Sequence, residues 1–146
     1  MTRDEWLAFL ESPVRPGVLA TVRADGRPHT APVWYALDPD SLGAGAVPTL
    51  LFTTGASTLK GRNIARDPRV SLCVQDDRPP FSYVSVSGVA VLSDDHTDVR
   101  LWAGRIGGRY MGADRADEYG DRNGVPGELV VRLPADHVVA YRDVAD

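Results

Sequence analysis

Few residues in this chain could do chemistry, and the most promising of them lie in Ser57-Thr58-Leu59-Lys60-Gly61-Arg62-Asn63-Ile64-Ala65-Arg66-Asp67-Pro68. Lys60 is the only lysine in a protein with fifteen arginines. Lysine is a compact, flexible point charge, whereas arginine is a planar fork. Ser57 follows the β-rich run Leu50-Leu51-Phe52-Thr53-Thr54 and Gly55, which predicts a strand, a turn and then a helix with Ser57 as N-cap. Asp67 and Pro68 should end that helix. Ser57, Lys60 and Ile64 then fall near one face, with Asn63 beside them. A helix start presents free N–H groups and the positive end of its dipole, so a capping hydroxyl and a lysine one turn on would complete a cradle for a phosphate. The competing reading is a capped surface helix with solvated charges, and this stretch alone does not choose between them.

No other constellation competes. His29, His96 and His137 are far apart, and the single Cys73 cannot build a thiolate cluster, so no metal site is expected. Asp94-Asp95-His96-Thr97-Asp98 has metal-ligating residue types, but it precedes an amphipathic pattern where acids and a threonine cap are expected. There is no Gly-x-Ser-x-Gly elbow, P-loop or Gly-x-Gly-x-x-Gly fingerprint. Hydrolysis by a side-chain triad has nothing to rest on, so an enzymatic role would need a bound cofactor to carry the chemistry.

The chain has 146 residues, 43% hydrophobic and 25% charged, which suits one domain (1–146) with a single core. No apolar run approaches the ~18 residues needed to span a bilayer. The start, Met1 to Trp6, carries two acids and no apolar stretch behind them, so no signal peptide is expected. With one cysteine and no possible intrachain disulfide, a reducing cytoplasm is the expected location. A net charge of -4 argues against a nucleic-acid partner. Lys60, Arg62, Arg66 and Arg69 nevertheless form a local basic patch against one acid, Asp67. Such a patch suits a small polyanion better than a long one, though a salt-bridged surface helix would look the same.

The elements that would position these residues follow from periodicity. Arg3 to Glu11 reads as a short amphipathic helix stopped by Pro13, Pro16 and Gly17. Gly17 to Val22 is a strand, and Asp25-Gly26 turns it into a second, His29 to Leu37. Pro32 inside that strand marks a bulge, an edge or backbone turned toward a ligand. Asp38 to Pro48 is a loop, Thr49 to Thr54 the third strand, and Val70 to Gln75 the fourth. Phe81 to Leu92 is a long fifth strand whose Gly88 suggests a sharp bend or a close backbone approach. Val99, Trp102, Ala103, Ile106 and Tyr110 mark an amphipathic helix that Gly107-Gly108 should weaken. Asp114 to Tyr119 could add a helical turn, and Glu128 to Leu133 with His137 to Tyr141 form a final strand pair or one broken strand. About six strands with short turns indicate a small, mainly antiparallel barrel.

Four segments in order carry a resemblance: Asp25-Gly26-Arg27-Pro28 into Pro32-Val33-Trp34-Tyr35; Ser57 to Leu72, with Lys-x-x-Asn and Arg-Asp-Pro-Arg-Val; Ser82 to Ala90; and Arg109-Tyr110-Met111-Gly112. Together they resemble the split β-barrel flavin-binding family related to pyridoxamine phosphate oxidase, and more narrowly its actinobacterial branch that uses the deazaflavin coenzyme F-420. The resemblance implies a mainly β split barrel with helices, a homodimer, and cofactors in grooves at the dimer interface. It implies that Ser57, Thr58, Lys60 and Asn63 surround the cofactor phosphate, and that Pro32, Val33, Trp34 and Tyr35 run along the ring. Tyr83 and Ser85 would meet the partner subunit and its cofactor. Some relatives carry arginine where this chain has Thr58, so the implied phosphate grip is weaker or leans on Arg62. True pyridoxamine phosphate oxidases have a longer C-terminal tail than Tyr141 to Asp146, which points away from that particular activity.

The resemblance leaves three readings. The first is an oxidoreductase that passes hydride between F-420 and an unsaturated acceptor that is quinone-, tetrapyrrole- or enone-like. The second is an FMN enzyme of the same fold, and the third a non-catalytic module binding flavin, deazaflavin or a tetrapyrrole. No side chain stands out as proton donor; Tyr35 or solvent would serve. Substrate contacts are expected from Asp38 to Pro48 and Met111 to Val125.

Overall fold

The computed structural model describes residues 1–146. Helix α1 (Arg3–Glu11) leads to strands β1 (Gly17–Val22), β2 (Pro28–Val33), β3 (Ala36–Leu37) and β4 (Thr49–Gly55). Helix α2 (Leu59–Arg66) follows, then β5 (Arg69–Gln75), β6 (Tyr83–Val89) and β7 (Val91–Ser93). Helices α3 (His96–Met111) and α4 (Ala116–Asn123) precede β8 (Glu128–Pro134) and β9 (His137–Tyr141). The strands form a five-stranded sheet in the order β2-β1-β5-β6-β9 and a four-stranded sheet in the order β3-β4-β8-β7. Every pairing is antiparallel. This is the mainly β, helix-decorated barrel that the strand pattern indicates.

Six strands read from the sequence become nine because three of them break and change sheets. The expected strand His29 to Leu37 divides at Trp34-Tyr35: Val33 pairs with Gly17 in one sheet and Ala36 with Leu51 in the other. The expected strand Phe81 to Leu92 divides at Ala90, whose N–H donates to the Pro68 carbonyl. The last two strands do not pair with each other; β8 joins β4 and β7, while β9 joins β6. Pro134 ends β8, because it has no N–H for a ladder. A Cβ at Gly88 would run into the Pro134 carbonyl, so the β6/β7 and β8/β9 crossings press on each other and only glycine fits there. Pro32 lies on an edge strand, where its missing N–H costs no ladder bond.

Two apolar clusters result. The barrel interior gathers Leu19, Phe52, Leu72, Val84, Val86 and Val131, closed at one side by Trp6 and Leu10 of α1. On the outer side of the four-stranded sheet, Val99, Trp102 and Ile106 of α3 cover Ala36, Leu51 and Val130. Residues 50 and 52 of β4 point into the barrel while residue 51 meets α3, as strand alternation requires. Thr53 therefore faces the α3 side.

Helix α3 does not weaken at Gly107-Gly108 but runs to Met111 and stops at Gly112, whose φ of 120° suits glycine alone. The glycines serve packing instead. A Cβ at Gly107 would overlap the Tyr119 ring, and one at Gly104 would lie 2.9 Å from the Ala116 carbonyl oxygen, so α4 crosses α3 at very short range. The expected loop Met111 to Val125 is thus largely helix. The cap before α3 is Asp95, which accepts from the Asp98 amide, rather than the expected threonine. Asp98 is held by two bonds from Arg132 at 2.6 and 2.8 Å, which join α3 to β8.

Candidate functional site

A cleft of about 350 Å³ opens where the β2–β3 crossing, β4, α2, α3 and the end of α4 meet. Pro32, Val33 and Trp34 form one wall; Ala103, Ile106 and Gly107 of α3 form another. Thr53, Lys60 and Asn123 are its polar side chains, and Pro16 completes it. An apolar cleft with a few convergent polar groups is the usual form of a small-molecule site.

The flat wall is built at a strand break. Between Val33 and Ala36 the chain belongs to neither sheet, so Trp34 is placed by side-chain contacts. Its ring stacks on Tyr110 with centroids 5.0 Å apart and planes within 5°, and Tyr119 of α4 meets it edge-on at 6.1 Å. Tyr110 is itself anchored, donating from its hydroxyl to the Arg15 carbonyl at 2.7 Å and accepting from the Tyr35 amide at 3.1 Å. Trp34 remains 39% exposed, which leaves indole surface for a ligand.

Lys60 is the charged group of the cleft. It is half-buried, makes no hydrogen bond and has no carboxylate within ion-pair distance. Burial raises the Glu128 carboxyl above its ordinary range, and the charge of Lys60 opposes that rise. A half-buried cation without a counterion is poised for an anion that enters from outside.

The remaining sequence-read residues fall in different places. The N-cap of α2 is Thr58 and not Ser57: its hydroxyl accepts from the Gly61 amide at 3.1 Å and donates to the Gly55 carbonyl at 2.8 Å. Gly61 is required there, because a Cβ would strike the Gly55 carbonyl. Ser57 and Arg62 are exposed beside the helix start. Asn63 is fully buried, its amide donating to Thr21 at 3.0 Å and accepting from Arg66 at 2.9 Å, so it fastens α2 to β1 beneath the cleft. Tyr35 is also fully buried, and its hydroxyl donates to the Leu10 carbonyl at 2.7 Å. Burial lifts that phenol above its ordinary range, and its proton points at α1 rather than the cleft. Tyr83 lies on the five-stranded sheet against Tyr141, with ring centroids 5.7 Å apart, outside the cleft. The loop Asp38 to Pro48 also stays away from it, capping α1 through carbonyls that accept from Arg3.

Of the stretch Met111 to Val125, expected to meet substrate, Asn123 lines the cleft, whereas Pro16, Thr53 and the α3 face of Ala103, Ile106 and Gly107 are cleft residues with no site signal in the sequence. The α3 pattern was visible as a core face, and the same stripe simply extends past the sheet to line the cleft. Asn123 has no sequence signal, since asparagine before glycine reads only as a helix end.

Comparisons with known proteins agree with this architecture. The family model described as pyridoxamine 5'-phosphate oxidase matches residues 2–140. The solved structure of Rv2991 from Mycobacterium tuberculosis is similar over 98% of this chain and 86% of its own, with 28% identity and a TM-score of 0.82. An F-420 reductase is 28% identical over 90% of this chain and 94% of its own, with a TM-score of 0.66. HutZ, the heme storage protein of Vibrio cholerae, shares the fold along the whole of both chains at 16% identity and a TM-score of 0.70.

Proposed function

Because the chain belongs to the pyridoxamine 5'-phosphate oxidase family, we propose that it is an oxidoreductase that holds the deazaflavin coenzyme F-420 in this cleft and serves a small unsaturated acceptor, quinone-, tetrapyrrole- or enone-like. The observation that carries this reading is the pairing of an uncompensated Lys60 with the flat, half-exposed Trp34 in one cleft. The residues present fit such a group. Lys60, with Ser57 and the capped start of α2, would receive its phosphate, and exposed Arg62 would meet further carboxylates of its oligoglutamate tail. Trp34, backed by Tyr110, would stack on the ring. The likeness to an F-420 reductase supports the deazaflavin over plain FMN.

When bound, the coenzyme would supply hydride chemistry, and the chain's part would be to orient its ring. Trp34 and the Ala103–Ile106 face would flank the ring, and Lys60 would hold the anionic end. No cleft side chain is suited to give a proton: Lys60 would be neutralised by phosphate, and the Tyr35 hydroxyl is turned away. Solvent at the open side is left as the proton source.

The outer face of the five-stranded sheet supports a homodimer. Val18 and Val89 are exposed on it, and its middle presents Ser71, Cys73, Ser85 and Ser87, with no charged side chain among them. Arg69, opposite Val89, is charged at the margin of this face, and the small, neutral middle suits a second copy of this chain. Titration of purified protein with F-420 and with FMN tests the cofactor reading. Tight F-420 binding is expected; a yellow protein that binds FMN and ignores F-420 would favour an FMN enzyme. Tight binding without turnover across quinones, enones and tetrapyrroles would favour a carrier.

A further inference from the structure

We infer that Asn123 is the specificity residue of the cleft, reading a ring edge that carries a carbonyl beside an N–H. This deepens the ring-binding reading above and rests on it. Asn123 is the last residue of α4 and lines the cleft, and its side chain makes no hydrogen bond within the protein. It follows Tyr119 by four residues, so the two share a face of α4. Tyr119 lies edge-on to Trp34. Asn123 and Trp34 line the same cleft, so a ring stacked on Trp34 would present an edge toward the end of α4.

Its position is fixed by the helix crossing. A Cβ at Gly124 would lie 2.8 Å from the Arg100 Cα and would also meet the Gly120 carbonyl, and Gly120 packs against Gly104. The end of α4 has no room to slide on α3. The backbone that carries Asn123 is thereby fixed, which limits how far its amide can follow a poorly matched ligand.

The two ends of the cleft then differ in chemistry. Lys60 offers only donors and a positive charge, which matches an anion. The Asn123 amide is neutral and offers a donor and an acceptor side by side, which matches a cyclic imide or lactam edge. Thr53, whose hydroxyl makes no hydrogen bond, adds that group from the β4 side. The ligand class is a flat heterocycle with an imide edge at Asn123 and an anionic tail toward Lys60.

The test uses riboflavin, which has such an edge and no phosphate, and N3-methylriboflavin, in which that edge is blocked. Binding is followed by ring fluorescence and by the shift of its absorption band. The wild type should prefer riboflavin by about five- to tenfold, the worth of one good hydrogen bond. Asn123→Ala should lose that preference and bind both rings alike, with an unchanged melting temperature because no protein hydrogen bond is removed. Asn123→Asp, which accepts but cannot donate, should fall between. Lys60→Ala should keep the preference. Equal binding of the two rings by the wild type, no binding of either, or a preference that survives Asn123→Ala would overturn the assignment. If the riboflavin preference holds while F-420 affinity is indifferent to Lys60→Ala, the phosphate reading fails and the ring-edge assignment stands.

Discussion

The amide of Tyr35 donates to the hydroxyl of Tyr110, 75 residues away in the chain, and the same Tyr110 ring backs Trp34 at 5.0 Å. One residue of α3 thus fixes both the backbone at a strand break and the aromatic wall of the cleft. Tyr110→Phe keeps the stacking but leaves the Tyr35 amide and the Arg15 carbonyl without their partner. A loss of about 1–3 kcal/mol in denaturant unfolding is expected, together with weaker ring binding. A variant as stable as the wild type would show that the amide finds another acceptor.

Lys60→Ala should weaken F-420 binding at least about tenfold, or about 1.4 kcal/mol. Lys60→Arg should recover part of that, since charge is kept while the compact head is lost. Fluorescence titration reads both, and unchanged affinity in Lys60→Ala would remove the phosphate assignment.

Ser57 and Thr58 are adjacent hydroxyls with different duties. Thr58→Ala removes the N-cap of α2 and should cost about 1 kcal/mol of stability. Ser57→Ala should be nearly neutral in stability and act only on cofactor affinity. Chemical denaturation paired with titration separates them; a stability loss confined to Ser57→Ala would reverse the assignment of the cap.

Gly107→Ala forces a methyl into the Tyr119 ring. Overpacking of this kind costs about 1–3 kcal/mol. Because Tyr119 abuts Trp34, ring affinity should fall as well, and calorimetric melting with ligand titration would show the two losses together.

The Asp98–Arg132 pair gives a pH dependence of known sign. Bonds from Arg132 hold the Asp98 carboxyl below its ordinary range. Its contribution is therefore complete above the unfolded value, about pH 3.9, and is lost as pH falls through the lower folded value. Asp98→Asn should melt lower than the wild type at pH 7, and the gap should close in acid and shrink in high salt, because the pair is partly exposed. A gap that does not change with pH would place the effect in packing instead.

Much of this architecture could be read from residues. The capping and breaking signals around Lys60 located α2 to within one residue, and Pro32 and Gly88 marked an edge and a close approach because each has one backbone property that admits few explanations. What stayed hidden was long-range. Whether Phe81 to Leu92 stays in one sheet depends on contacts with Pro134, which local periodicity does not carry. Asn63 and Tyr35 matched a cofactor motif by type and spacing, yet both are buried and engaged, because facing depends on the packing of α2 and α1 rather than on the motif. Thr53 and Asn123 carry no pattern at all; they are brought together by the fold.

The strand break at Trp34-Tyr35 has an evolutionary corollary. A ligand wall held by a ladder could be altered only by changing the sheet itself. Here the wall of the proposed ring site hangs on the side chains of α3 and α4, so, on that reading, drift in those helices would retune ligand preference while the barrel keeps its register. Selection for a new ring should return changes at and around Tyr110, Tyr119 and Asn123 before it touches the strands.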